Sequence, residues 1–153
     1  MPSYTPAQQY TLPSPSEDSR LKYLLDTCVV SDFVKGEAGV LARLKSEMPK
    51  DLAISSVSLM EIEYGLALNP ARTKKISPVI NALLKMVTII PYEPMDAKAT
   101  ASIRAHLKKE GKPIGPYDVM IAGCALSRQM VMVTSNTNEF NRVTGLILED
   151  WRV

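Results

Sequence analysis

The chain has 153 residues, 46% of them apolar, enough for one globular domain whose core folds unaided. Its 18 basic and 16 acidic residues leave a net charge of +2, too balanced to announce nucleic-acid binding by itself, although carboxylates gathered in one pocket would leave the remaining surface basic. No apolar stretch approaches the ~18 residues that a membrane span needs. The two cysteines, Cys28 and Cys124, match no metal or redox spacing and read as buried free thiols of a reducing cytoplasm.

Residues 1–20 hold four of the 11 prolines and no apolar periodicity, and they read as a disordered tail ahead of a domain over residues 21–153. They lack the basic start and apolar run of a secretory signal. Leu21–Asp26 is a short apolar strand ending in a carboxylate, followed by a short helix over Val29–Val34. Gly36 and Gly39 bracket the turn into a helix over Val40–Met48. Leu52–Ser55 reads as the second strand, and Ser55 or Ser56 caps a helix from Val57 to about Leu68, ended by Asn69-Pro70. A basic helix comes next, and Ser77-Pro78 is expected to restart a helix that runs to Met86. Val87–Ile90 is a β-branched strand, and Asp96–Glu110 a helix stopped by Gly111. The stretch GKPIGP is a loop, Tyr117–Arg128 a helix, Met130–Thr134 a strand, and Leu146–Leu148 a last short strand. This alternation favours an α/β domain with a central, mostly parallel sheet covered on both faces.

Several polar residues sit where these elements begin or end. Asp26 follows the first strand, Glu61 shares a helix face with Val57, Tyr64 and Leu68, Asp118 stands in the first turn of its helix, and Asn136 follows the VTS of the fourth strand. Each has an ordinary alternative. Asp26 serves equally as a helix cap, Asp118 as an acid favoured by the helix dipole, and Asn136 as a turn former. Two of them nevertheless point inward: Glu61 lies on an apolar face, and the residues three, four and seven beyond Asp118 are Ile121, Ala122 and Ala125. A carboxylate at the carboxyl end of a buried strand is costly unless paired or metal-bound, and that end of an open α/β sheet is where ligands bind. An all-oxygen set of this kind suits a hard divalent cation, magnesium or manganese (Mg2+ or Mn2+). A single histidine, His106, and the absence of a cysteine pair argue against zinc.

The motifs around these residues are LLDTCVVSDF, ISSVSLMEIEYGL, IRAHLKKEGKPIGPYDVMIAGCAL and MVTSNTNEFNRVTGLILEDW, in that order. From about Leu21 to Val153 the chain resembles the PIN-domain ribonucleases, and specifically the VapC-type toxins of toxin–antitoxin pairs. The resemblance implies a PIN-like fold and an acidic triad of Asp26, Glu61 and Asp118 that holds the metal, with Asn136 at a fourth position where many relatives carry aspartate. Glu139 would add a further carboxylate, with Thr134 and Ser135 orienting their neighbours. It implies a metal-dependent endoribonuclease acting on structured RNA, transfer RNA among its targets, which a bound cation assists by activating water for attack on a phosphodiester. It also implies a homodimer and a VapB-type antitoxin partner, with operator DNA bound only through the antitoxin complex.

Arg104, Lys108, Lys109, Lys112, Arg128 and Arg142 flank the motifs and are candidates to grip RNA, with Arg72, Lys74 and Lys75 as a second basic cluster. Other classes fit less well. A dehalogenase-like phosphatase needs a second carboxylate two residues after the first, where this chain has Cys28. A receiver domain wants paired acids before its first helix. A catalytically inactive PIN-like module that binds RNA or protein stays open as the alternative.

Overall fold

The structure is a computed structural model and describes residues 21–153; the expected tail over residues 1–20 lies outside the described residues. Five strands form one parallel sheet: β1 (Tyr23–Leu25), β2 (Leu52–Ser55), β3 (Thr88–Ile90), β4 (Val131–Val133) and β5 (Leu148–Glu149), in the order β3-β2-β1-β4-β5. The helices are α1 (Thr27–Lys35), α2 (Ala38–Ser46), α3 (Ser56–Leu68), α4 (Pro70–Met86), α5 (Pro94–Lys109), α6 (Pro116–Ser127) and the single turn α7 (Thr137–Phe140). The α/β class and the parallel sheet are as the alternation of elements implies.

Successive strand residues face opposite ways, and the core divides accordingly. Leu24, Ala53 and Met132 pack under α5 and α6, whereas Leu25, Leu52, Ile54 and Val133 pack under α1, α2 and α4 with Trp151. The three central strands are buried on both faces, which is why they read as unbroken apolar runs. Register sets Leu24 of β1 level with Ala53 of β2 and Met132 of β4, so β1, β2 and β4 end at one rim. From central β1 the chain moves to β2 on one side, and β4 lies on the other. This reversal opens a crevice between the carboxyl ends of β1 and β4.

One local expectation is corrected. Pro78 does not restart a helix: α4 runs unbroken from Pro70 to Met86 with Pro78 inside it. Proline removes a helical donor at a cost of about 3 kcal/mol. Here Lys74 and Pro78 are both exposed, so water can serve the released carbonyl, while buried Ile80 and Leu83 anchor the helix. Asn136 stands just before α7, whose last residue, Phe140, is fully buried in the core.

The last residues are tied to the first helices. The Arg152 guanidinium donates to both oxygens of buried Asp32 at 2.6 and 2.9 Å, and Arg43 stacks over Trp151 at 4.8 Å. A side chain at Gly39 would collide with the Trp151 carbonyl, so glycine permits this approach.

Candidate active site

Asp26 sits at the crevice. Its N–H donates to the Val133 carbonyl at 2.9 Å, extending the β1–β4 ladder by one residue, and its extended backbone then starts α1. Oδ1 accepts from the Thr27 N–H at 2.8 Å, so the helix-cap reading is correct as far as it goes. Oδ2 accepts from the Thr134 hydroxyl at 2.8 Å and from the Cys28 thiol at 3.4 Å. At 4% exposure the carboxyl is pushed above its usual range by burial, with the bonds from Thr134, Cys28 and Thr27 acting in the other direction.

Glu61 approaches from the second turn of α3, which Ser55 starts by accepting from the Ser58 N–H at 3.1 Å. Its Oε1 accepts from the Thr27 hydroxyl at 2.7 Å, and that hydroxyl lies 3.0 Å from the Ser58 hydroxyl. Asp118 enters from the first turn of α6. Its carboxyl is pushed up to about 7, first by burial, then by the charges of Asp26, Glu139 and Glu61 and a hydrogen bond shared with Glu139. Glu139, on α7, accepts from the Gly115 N–H at 2.9 Å and from the Asn136 side-chain amide at 2.5 Å. Asn136 is exposed, and its N–H donates to the Thr134 hydroxyl at 3.0 Å.

All the expected residues therefore meet at one rim of the sheet, with different tasks. Asp26, Glu61, Asp118 and Glu139 share a field of negative charge, and among the described residues none of the hydrogen bonds to their carboxylates comes from lysine or arginine. Asn136 spends its amide nitrogen on Glu139 and thereby sets that carboxylate's position. Thr134 orients Asp26 as expected, while Ser135 reaches only the Cys28 sulfur at 3.6 Å. Sequence reasoning missed Thr27 and Ser58, although Thr27 adjoins Asp26 and Ser58 lies one turn before Glu61. It also missed Gly115, where a β-carbon would stand 3.1 Å from the Asp118 carboxylate. Both cysteines are free, but Cys28 is only half-buried and lies in the pocket, unlike Cys124.

Among the described residues, no three His, Cys, Asp or Glu side chains are so arranged that they could hold a metal ion as placed. The carboxylates of Asp26, Glu61 and Glu139 are instead engaged by hydroxyl and amide donors. The donor set still fits a hard cation: magnesium is held by one or two carboxylates and retains several waters. A positive ion would also offset the charges of Asp26, Glu139 and Glu61, which add to burial in pushing the Asp118 carboxyl up. Two expected RNA-gripping residues are occupied elsewhere. Arg128 pairs with buried Asp96 at 3.1 Å, and Arg142 donates to the Pro113 carbonyl at 3.1 Å.

A crevice at the switch point of a short parallel sheet, lined by acids from β1, α3, α6 and α7, is the arrangement of a PIN domain, and the PIN-domain family model matches residues 23–146. The chain is 40% identical over 132 residues to the tRNA(fMet)-specific endonuclease VapC of Shigella flexneri, covering 86% of this chain and 98% of that one. It is 36% identical over 132 residues to Ribonuclease VapC2 of Haemophilus influenzae, with the same coverage. Its fold superposes on a chain of DNA-bound VapBC from Salmonella typhimurium with a TM-score of 0.79 at 36% identity, covering 86% of this chain and 98% of that one. The chain belongs to the PIN-domain family, in its VapC-type group.

Proposed function

We propose that this protein is an endoribonuclease toxin of a type II toxin–antitoxin pair, dependent on magnesium or manganese. The observation that carries the reading is the group of four acids at the switch point, to which no basic side chain among the described residues is bonded. Asp26, Glu61 and Asp118 are the proposed metal-holding residues, with Asn136 and Glu139 completing the site. When bound, the cation would polarise a phosphoryl oxygen and make water a better nucleophile.

The chain's own residues supply the rest. Thr134 and the Thr27 N–H hold the Asp26 carboxylate in one orientation, and the Thr27 hydroxyl fixes Glu61 against it. The Gly115 N–H and Asn136 hold Glu139 beside Asp118, with which it shares a hydrogen bond. Relatives named as tRNA(fMet)-specific endonucleases make transfer RNA the substrate class to try first.

A VapB-type antitoxin is the proposed partner, since structural relatives are described as VapBC complexes, some of them bound to DNA. A groove of about 190 Å3 between α1, α3 and α4 supports this: its apolar walls include Val30, Val34, Leu66 and Ile76, and it opens at Thr27 and Glu61. A segment seated there would reach the acids directly, and operator DNA would be bound through that complex. Met60, Tyr64 and Leu68, four residues apart along α3 and exposed, supply an apolar stripe suited to a homodimer.

The test is incubation of the purified protein with total cellular RNA. Discrete cleavage is expected with magnesium or manganese, and none in excess chelator or with Asp26→Ala. Undiminished cleavage in chelator would exclude the metal mechanism, and no cleavage under any condition would favour the inactive binding module.

A further inference from the structure

A second concavity is lined in part by the first turn of α6, the turn that carries Asp118. It has a volume of about 550 Å3, within the range of small-ligand sites. Its floor is apolar, with Ala105 of α5, Ile114 of the connecting loop, and Pro116 and Val119 of α6. Arg104 and Lys108 line it as well; four residues apart on α5, they share one face, and both are exposed. Among the described residues neither makes a salt bridge or side-chain hydrogen bond.

Position makes the cleft relevant to the acids. Helices α5 and α6 pack antiparallel: Asp96 at the start of α5 meets Ser127 and Arg128 at the end of α6, so Arg104 and Lys108 come to the end where α6 begins. That end is the rim of the acidic crevice. The loop between the two concavities is held from both sides, by Glu139 at the Gly115 N–H and by Arg142 at the Pro113 carbonyl. The cleft is thus formed in advance, and Pro116 and Val119 of its lining flank Asp118 along α6.

We infer that this cleft seats a nucleotide of the RNA flanking the one cut at the acidic crevice, the base against the apolar floor and the neighbouring phosphates on Arg104 and Lys108. The inference rests on the ribonuclease reading above. Its chemistry suits a single-stranded or splayed nucleotide: every base has an apolar face that packs on such a floor, and an arginine plane adds stacking as well as charge. The acidic crevice repels phosphate when no cation is bound, so a cationic seat beside it would supply affinity that the crevice lacks. Small Ala105 leaves the space open.

The experiment measures binding of a labelled single-stranded RNA across a salt series, in an Asp118→Asn background where cleavage does not compete. Replacing both Arg104 and Lys108 by glutamine should weaken binding about ten-fold, a loss of ~1.4 kcal/mol. It should also lower the salt slope by about 1.4, from roughly 0.7 per phosphate contact on single strands. Ala105→Trp, which fills the cleft without changing charge, should weaken binding and leave the slope alone. Unchanged affinity and slope in the double variant would overturn the inference, and so would full affinity in Ala105→Trp. So would a double variant that alters the sedimenting mass but not the RNA slope, since the cleft would then be a contact between subunits. If the protein with Asp118 intact cleaves no RNA, the ribonuclease reading fails instead, a result distinct from all of these.

Discussion

Asp96 and Asp118 occupy the same local position in the two helices that pack against each other. Each stands two residues after a proline that opens its helix, in Pro94-Met95-Asp96 and Pro116-Tyr117-Asp118. Their environments are opposite. Asp96 is fully buried, accepts from the Glu93 N–H at 2.8 Å and from Ser127, and meets the Arg128 guanidinium at 3.1 and 3.3 Å. Asp118 is half-exposed, faces three other acids and, among the described residues, pairs with no lysine or arginine. The first is a completed structural unit, and the second is a site that needs something further. A buried carboxylate marks function only when its neighbours leave its charge unanswered.

Exchanging each acid for alanine should break the comparison most sharply. Asp118→Ala should lower RNA cleavage at least ~100-fold, or roughly 3 kcal/mol of transition-state stabilisation, with melting temperature kept or raised. Asp96→Ala strands the Arg128 guanidinium against the core and should cost about 3–5 kcal/mol, a fall on the order of 10 °C in melting temperature. Thermal melts and cleavage rates on both proteins check this. An Asp96 variant that melts normally yet is inactive would reverse the assignment.

Proton linkage gives a smaller effect of defined sign. The Asp118 carboxyl titrates at about 7 in the folded metal-free protein against an ordinary 3.8, so the folded state holds this proton more tightly than the unfolded chain does. Its contribution to stability is present below pH ~4 and is lost as pH rises towards 7. Asp118→Asn removes that loss. In chelator it should match the unmodified protein near pH 4 and exceed it by ~1–2 kcal/mol at pH 8, a figure already reduced for solvent screening. Denaturant unfolding at the two pH values measures it, and a difference that is larger at pH 4 would refute the account.

The smallest effect belongs to Asn136. Its side chain contributes one exposed hydrogen bond to Glu139, so Asn136→Ala should reduce cleavage only several-fold, about 1 kcal/mol, and raise the metal concentration needed. A metal titration of the cleavage rate checks both. A loss as large as that of Asp118→Ala would place Asn136 among the ligands themselves.

Much of this was legible beforehand because it is local. Strand cores appear as apolar runs, Ser55 announces a helix start, Asn69-Pro70 marks a helix end, and Gly111 ends α5 with a φ of 70°. Arg128 was misread because, on paper, a basic residue at a helix end looks solvated. Its partner is 32 residues away, and only helix packing brings them together. Pro78 was misread for the same reason, since the contacts of Ile80 and Leu83 outweigh a local break.

The sequence by itself determined the order of strands and helices and the polar residues that stand where those elements begin, end or turn inward. Those properties depend on residue type and on periods of two and 3.6. The tertiary structure decided which acids face one another. Glu61 lies 34 residues from Thr27, and Glu139 lies 24 from Gly115. Their convergence comes from the reversal of strand order at β1, and electrostatic repulsion depends on distance in space, which spacing along the chain does not encode.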